Sequence, residues 1–213
     1  MTSRFKFFLS MGLAISLLAG APASAFAKNV KILALGTSLT QGYGLAPGTE
    51  FTVQLEKSLR ASGLDVSVIN AGVSGDTSTG GLARLSWSLA DHPDVAIIEL
   101  GSNDMLRGVP PSVTEKNLRA ILSTLQKNHV PVLLAGMKAQ RNLGKEYVEA
   151  FDGIYPKLAK EFGTLYYPFW LDGVALNPKL NQADGIHPNP TGVKILVARM
   201  LPLAKKLVAE ANH

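Results

Sequence analysis

The chain contains no cysteine. That excludes a disulfide framework and a thiolate zinc cluster, so the fold has to be stable through its core alone. Only four histidines are present, and the mature region has no H-E-x-x-H, no S-x-x-K and no G-x-S-x-G. No metal and no cofactor is therefore expected. Beyond the first 27 residues no apolar run approaches the roughly 20 residues that a membrane span needs, so no stable span is expected in the mature chain. Lys and Arg are scattered among acids, as at Glu56-Lys57, and never form a block interleaved with aromatics. The pI of about 9.4 thus describes a solvated surface and implies no nucleic-acid partner.

Residues 1–27 are organised differently from the rest. Arg4 and Lys6 precede an apolar run over 7–18, and A-P-A-S-A-F-A follows. This is the layout of a secretory signal peptide cleaved after Ala25 or Ala27. It predicts a periplasmic or secreted protein, and the missing cysteine argues against a lipoprotein. Loss of Arg4 and Lys6 lowers the formal net charge of +5 by two. Residues 28–213, within a chain that is 46% hydrophobic, are expected to form one well-cored domain.

Strand-like runs occur at 31–35, 64–70, 95–100, 130–137 and 165–167. Helical patterns lie between them at 51–62, about 81–90, 112–128 and 145–162. Ser112-Val113-Thr114-Glu115 reads as a capping box. Asn189-Pro190 reads as the cap and first turn of a last helix, with a bend or break expected at Pro202. Alternation of this kind predicts an α/β fold: a three-layer α/β/α sandwich around a five-stranded parallel sheet, flavodoxin-like in type.

In such a sheet ligands bind beyond the carboxyl ends of the strands, which sorts the candidates. His92 and His129 precede strands and fall at the wrong end, and His213 ends the chain. His187 alone follows the last strand. Among the acids Asp76, Asp104, Asp172 and Asp184 pass, and Asp184 stands three residues before His187 in A-D-G-I-H-P. Gly185 permits a tight reversal that would bring carboxylate to imidazole; an Asp-Gly turn with an exposed histidine is the plainer alternative. At the first strand's end, G-T-S-L-T-Q-G presents Ser38, either as a helix cap or as a hydroxyl at the mouth of a site.

A serine nucleophile needs a base, a carboxylate to orient the base, and donors for an oxyanion. Gly75, in N-A-G-V-S-G-D after the second strand, and Asn103, in G-S-N-D after the third, offer such donors. A turn glycine and an Asx-turn are their ordinary roles. Tyr43, Leu45, Met105, Leu106, Val109 and Ile186 flank the same mouth, either lining an apolar groove or anchoring loops to the core. Phe169-Trp170 packs nearby or closes the core.

In their order and spacing, G-T-S-L, N-A-G-V-S-G-D, G-S-N-D and D-G-I-H-P resemble the four blocks of the SGNH (GDSL) hydrolases. The likeness is to their exported bacterial thioesterase/arylesterase/lysophospholipase branch, and it extends over almost the whole mature chain. The resemblance implies Ser38 as nucleophile, His187 as base and Asp184 as its orienting acid. It implies an oxyanion hole formed by the Ser38 and Gly75 backbone N–H groups and the Asn103 side chain. The implied substrate is a small-molecule or lipid ester or thioester. One position departs from the pattern: Thr37 stands where the family usually has aspartate, which puts the rigidity of the nucleophile turn in question. Three other readings remain at this stage. They are deacetylation of a carbohydrate by the same residues, a flavodoxin-like protein cradling an FMN phosphate on the G-T-S-L-T-Q-G turn, and a noncatalytic ester-binding module.

Overall fold

The computed structural model describes residues 1–2 and 29–211. All but the first two residues of the expected signal peptide, and also His213, lie outside the described residues. Five parallel strands, β1 (Val30–Gly36), β2 (Val66–Gly72), β3 (Val95–Ile98), β4 (Val132–Ala135) and β5 (Leu165–Tyr167), form one sheet in the order β2-β1-β3-β4-β5. The central strands are continuous aliphatic runs because both of their faces are covered: every residue of β3 and β4 is buried.

Helices α1 (Ser38–Gln41) and α2 (Phe51–Ala61) follow β1, and α3 (Ser78–Ala83) and α4 (Leu85–Ser88) follow β2. Next come α5 (Ser102–Leu106) and α6 (Pro111–Lys127) after β3, α7 (Lys145–Phe162) after β4, and α8 (Pro190–Glu210) after β5. The step from β1 to β2 runs opposite to the later steps, so right-handed crossovers put α2 on one face and α3, α6 and α7 on the other. α8 packs against α2, while α6 packs against both α3 and α7. The predicted three-layer sandwich is the observed one. Each long helix buries a 3.6-period stripe, such as Phe51, Leu55 and Leu59 in α2 or Leu118, Ile121, Leu122 and Leu125 in α6. Trp170 is fully buried against the Phe51 ring, with centroids 4.5 Å apart, and so closes the core.

One local expectation fails, and of a second the stronger form does. The capping box at Ser112 does not form, because α6 starts one residue earlier with Pro111 in its first turn and Pro110 as its cap. Thr114 instead donates its hydroxyl to Asp104 at 3.1 Å, and Glu115 pairs with Arg119 and Lys157, both at 2.7 Å. Nor does α8 break at Pro202. That proline lies on the exposed face, as does Ala198 four residues earlier, so water can replace the lost helical bond. Meanwhile Met200, Ala204 and Leu207 keep the other face in the core. Asn189 caps α8 as expected, accepting from the N–H groups of Thr191 and Gly192 at 3.0 Å.

Candidate active site

Strand order reverses between β1 and β3, which makes the rim above them the switch point where α/β sheets bind ligands. The four expected segments meet there. Gly36 and Gly72 are in register at the ends of β1 and β2. At Gly72 a Cβ would lie 2.2 Å from the Gln41 backbone nitrogen, so only glycine lets β2 pass this close to α1. The loop after β2 is fastened to the first turn by a bond from Val73 N–H to the Gly36 carbonyl at 3.0 Å and by the Ser74 hydroxyl on Gln41 Oε1.

Ser38 is the first residue of α1, with Thr37 as its cap. Its Oγ lies 2.8 Å from His187 Nε2, although the two residues are 149 positions apart. His187 Nδ1 in turn lies 2.7 Å from Asp184 Oδ2. Gly185, at φ 70°, turns the chain back so that Asp184 Oδ1 also accepts the N–H groups of Ile186 at 2.9 Å and His187 at 3.0 Å. The His187 backbone N–H, then its imidazole, then the Ile186 N–H lower the Asp184 carboxyl to a pKa of about 2. The acid therefore stays ionised opposite the imidazole.

Gly75, at φ 79°, sits in a backbone conformation that other residues adopt only with strain. Its carbonyl accepts from Arg107 Nη2 at 2.7 Å. Asn103 donates Nδ2–H to the Asp76 carbonyl at 2.8 Å, which aligns its amide along the same loop. Of the six apolar candidates, Tyr43 is 54%, Leu106 47% and Ile186 48% exposed. The Tyr43 ring packs on the His187 imidazole with centroids 4.8 Å apart. Met105 belongs to the core, at 8% exposure, because it lies on the inward face of α5. Leu45 packs against the core as well, and Val109 is half-buried with its carbonyl held by the Tyr147 hydroxyl at 2.9 Å. Of these three only Met105 is fully turned into the core.

Several further residues order this rim. Arg84 reaches three partners: Asp76 Oδ2 at 2.6 Å, the Ala71 carbonyl at 2.7 Å and the Gly36 carbonyl at 2.9 Å. One guanidinium thus ties the ends of β1 and β2 to the donor loop. Gln182 Nε2 donates to the Tyr43 carbonyl at 2.8 Å and the Pro188 carbonyl at 3.0 Å, joining the histidine loop to the serine loop. Buried Asp104 takes the Ser78 N–H at 2.7 Å together with the Ser78 hydroxyl. Beneath Ser38, the buried Glu99 accepts from Thr37 and Thr40. Thr37 therefore anchors the turn through Glu99 despite replacing the family's usual aspartate.

The same bonds dispose of the phosphate-cradle reading. The Thr37 and Thr40 hydroxyls point inward to a carboxyl group, which would repel a phosphate. His92 and His129 lie at the opposite end of the sheet as expected. There a cavity of about 410 Å³ is lined by Asp94, His129, Pro131 and Glu210 among others, and by none of Ser38, Gly75, Asn103, Asp184 and His187. Among the described residues no group of three or more His, Cys, Asp or Glu is placed to hold a metal ion, and no helix is long and apolar enough to cross a membrane.

Comparison with known proteins gives the family. The chain belongs to the GDSL-like lipase/acylhydrolase family, whose model matches residues 34–195. Among its relatives is the thioesterase 1/protease 1/lysophospholipase L1 of Escherichia coli K12, 41% identical over 183 residues covering 85% of each chain. An arylesterase of Vibrio mimicus is 41% identical over 161 residues, covering 75% of this chain and 80% of the other. Among solved structures, the SGNH-hydrolase family esterase AlinE4 is 44% identical. It superposes with a TM-score of 0.73 over 85% of this chain and 98% of its own. The protein is accordingly an ester hydrolase with the SGNH-hydrolase fold.

Proposed function

We propose that the enzyme cleaves carboxylic esters and thioesters in two steps through an acyl-enzyme on Ser38. The 2.8 Å approach of His187 Nε2 to the Ser38 hydroxyl is the observation that carries this reading. As Ser38 Oγ attacks the carbonyl carbon, its proton passes to neutral His187, while ionised Asp184 steadies the imidazolium. Negative charge gathers on the carbonyl oxygen, where the Ser38 and Gly75 N–H groups and the Asn103 amide supply donors. The tetrahedral adduct expels the alkoxide or thiolate, which takes the proton from His187. Water then attacks the acyl carbon as it gives a proton to His187; the adduct breaks its bond to Ser38 Oγ, which takes that proton back, and the acid is released. The exposed Tyr43, Leu106 and Ile186 offer an open apolar surface for an acyl or aryl group. The thioesterase, lysophospholipase and arylesterase named among the relatives make this breadth of leaving group reasonable.

Residues 1–27 act as a signal peptide in this reading, and the mature enzyme works in the periplasm or outside the cell. N-terminal sequencing of the exported protein should begin at Phe26 or Lys28; an intact Met1 on exported protein would contradict it. The decisive chemical test compares wild type and Ser38→Ala on p-nitrophenyl esters, acyl thioesters and acetylated sugars. Wild type should turn over the first two classes, and Ser38→Ala, although folded, should turn over none. Turnover confined to acetylated sugars would favour the deacetylase reading instead. Activity surviving in Ser38→Ala would remove the serine mechanism.

A further inference from the structure

The reaction leaves Glu99 without a task, yet this side chain lies directly beneath the nucleophile. It is fully buried just beyond β3, and its side-chain partners come from the turn that carries Ser38. Oε2 accepts the Thr37 N–H at 2.8 Å and the Thr40 hydroxyl at 2.8 Å, while the Thr37 hydroxyl reaches both carboxyl oxygens at 3.0 Å. The fit is tight. A Cβ at Gly36 would stand 2.0 Å from Thr40 Oγ1 and 2.6 Å from Glu99 Oε2.

These contacts favour the ionised form of Glu99. An ionised carboxylate only accepts, and here a backbone N–H and two hydroxyls are aimed at it. In the ionised form every one of these donors finds an acceptor. A protonated Glu99 has to place its own proton on a neighbour, so one hydroxyl of the clasp must turn from donating to receiving.

Among the described residues no cation pairs with Glu99. Arg84 approaches from the β2 side, but its guanidinium is engaged by Asp76 and by the Ala71 and Gly36 carbonyls. On the helical side Tyr155 donates to the Leu100 carbonyl at 2.9 Å, and Asp104 lies beyond it. Burial raises the Tyr155 hydroxyl well above its usual pKa, with the charges of Asp104 and Glu99 adding to the effect. His187 stands on the solvent side of Ser38. Burial pushes the Glu99 carboxyl up to about 7, against the lowering effect of the Thr37 and Thr40 bonds.

We infer that Glu99 is the positioning residue of the nucleophile turn: its ionised carboxylate, clasped by Thr37 and Thr40, seats Ser38 against His187, and its protonation loosens that seat and slows acylation. This rests on the reading of Ser38 as nucleophile. Glu99 touches no substrate; it acts by fixing residues 37 and 40 on either side of Ser38. Small displacements of an attacking atom are costly, and about 1 Å can lower a rate by about 100-fold.

The test measures kcat and KM against pH for wild type and Glu99→Gln on a p-nitrophenyl ester, together with the rate of phosphonylation by an organophosphonate. Glutamine keeps the shape of the protonated acid and cannot ionise. At pH 8 the variant should lose about 10- to 100-fold in kcat and in phosphonylation rate, with KM nearly unchanged. The acidic limb of kcat should involve two protons in wild type and one in the variant. A folded Glu99→Gln with wild-type kcat, phosphonylation rate and pH profile would overturn the inference. Should Glu99→Gln fail to fold, Thr37→Val removes one hydroxyl from the clasp. It should lower kcat without raising KM, and Thr37→Ser should restore most of the loss; equal rates in Thr37→Val and wild type would overturn the inference. Mapping the wild-type adduct separates this from the function itself. An adduct away from Ser38 defeats the acyl-enzyme reading, whereas an adduct on Ser38 forming equally fast in both proteins defeats only the role of Glu99.

Discussion

Asp184 holds His187 at two points with one carboxylate: Oδ1 accepts the backbone N–H at 3.0 Å and Oδ2 meets imidazole Nδ1 at 2.7 Å. The first bond fixes the loop, and the second fixes the ring and leaves Nε2 for Ser38.

Replacing Asp184 by Asn therefore separates two jobs. The Asn carbonyl can still accept from the loop backbone, but its amide donates where Nδ1–H needs an acceptor, favouring the wrong tautomer. The expected result is a folded protein whose kcat is down by about 10²–10⁴. The acid lies below its ordinary range, so the stability it lends is present at neutral pH and is lost as pH falls from 3.8 through about 2. A loss of activity at mildly acidic pH must then come from another group, and steady-state kinetics of Asp184→Asn on a p-nitrophenyl ester will check the fall in kcat.

Asn103→Ala should cut kcat by about 10²–10³ while changing KM little, because the amide serves the charge that develops on the substrate oxygen. Steady-state kinetics on a fast aryl ester will check this. A rise in KM with kcat intact would assign Asn103 to substrate binding.

Gly72→Ala and Gly75→Ala should differ in what they damage. At Gly72 the added methyl meets the α1 backbone at 2.2 Å, so β2 and the nucleophile helix are forced apart, at a cost of about 1–3 kcal/mol. At Gly75 the nearest atom is Arg107 Nη2 at 3.4 Å, and the cost is the φ of 79°, about 1 kcal/mol. Thermal unfolding should rank Gly72→Ala as the less stable, while both lose activity.

Glu99 also predicts a stability trend. Its folded pKa, near 7, lies above the ordinary 4.5, so the folded state holds the proton more tightly. Stability attributable to this group is highest below pH 4.5 and declines as pH rises to about 7, by about 3 kcal/mol in all. Denaturant titrations of Glu99→Gln should lack this decline, and an unchanged slope of stability with pH would refute the assignment of the buried charge.

Legibility followed the range of the interactions. Strands over 31–35 and 165–167 and the helix over 145–162 could be read because burial on both faces, or on one stripe, writes itself into consecutive residues. Asp184 and His187 were readable as a pair because Gly185 brings them together within four residues. Ser112-Val113-Thr114-Glu115 misled because a local pattern cannot reveal that Thr114 has a better partner in Asp104, ten positions away. At Pro202 the helix does not break, because the carbonyl that loses its helical bond is on the exposed face and open to water.

Residue order alone determined the alternation of elements, the end of the sheet at which chemistry occurs and which histidine lies there. Tertiary structure decided that Ser38 meets His187 across 149 positions, that Met105 turns inward, and that Glu99, an unremarked acid at a strand end, sits buried under Ser38. The reason is physical: hydrophobic periodicity and turn chemistry act over a few residues and are recorded locally. The partner of a buried polar group is chosen by packing between segments that no short window contains.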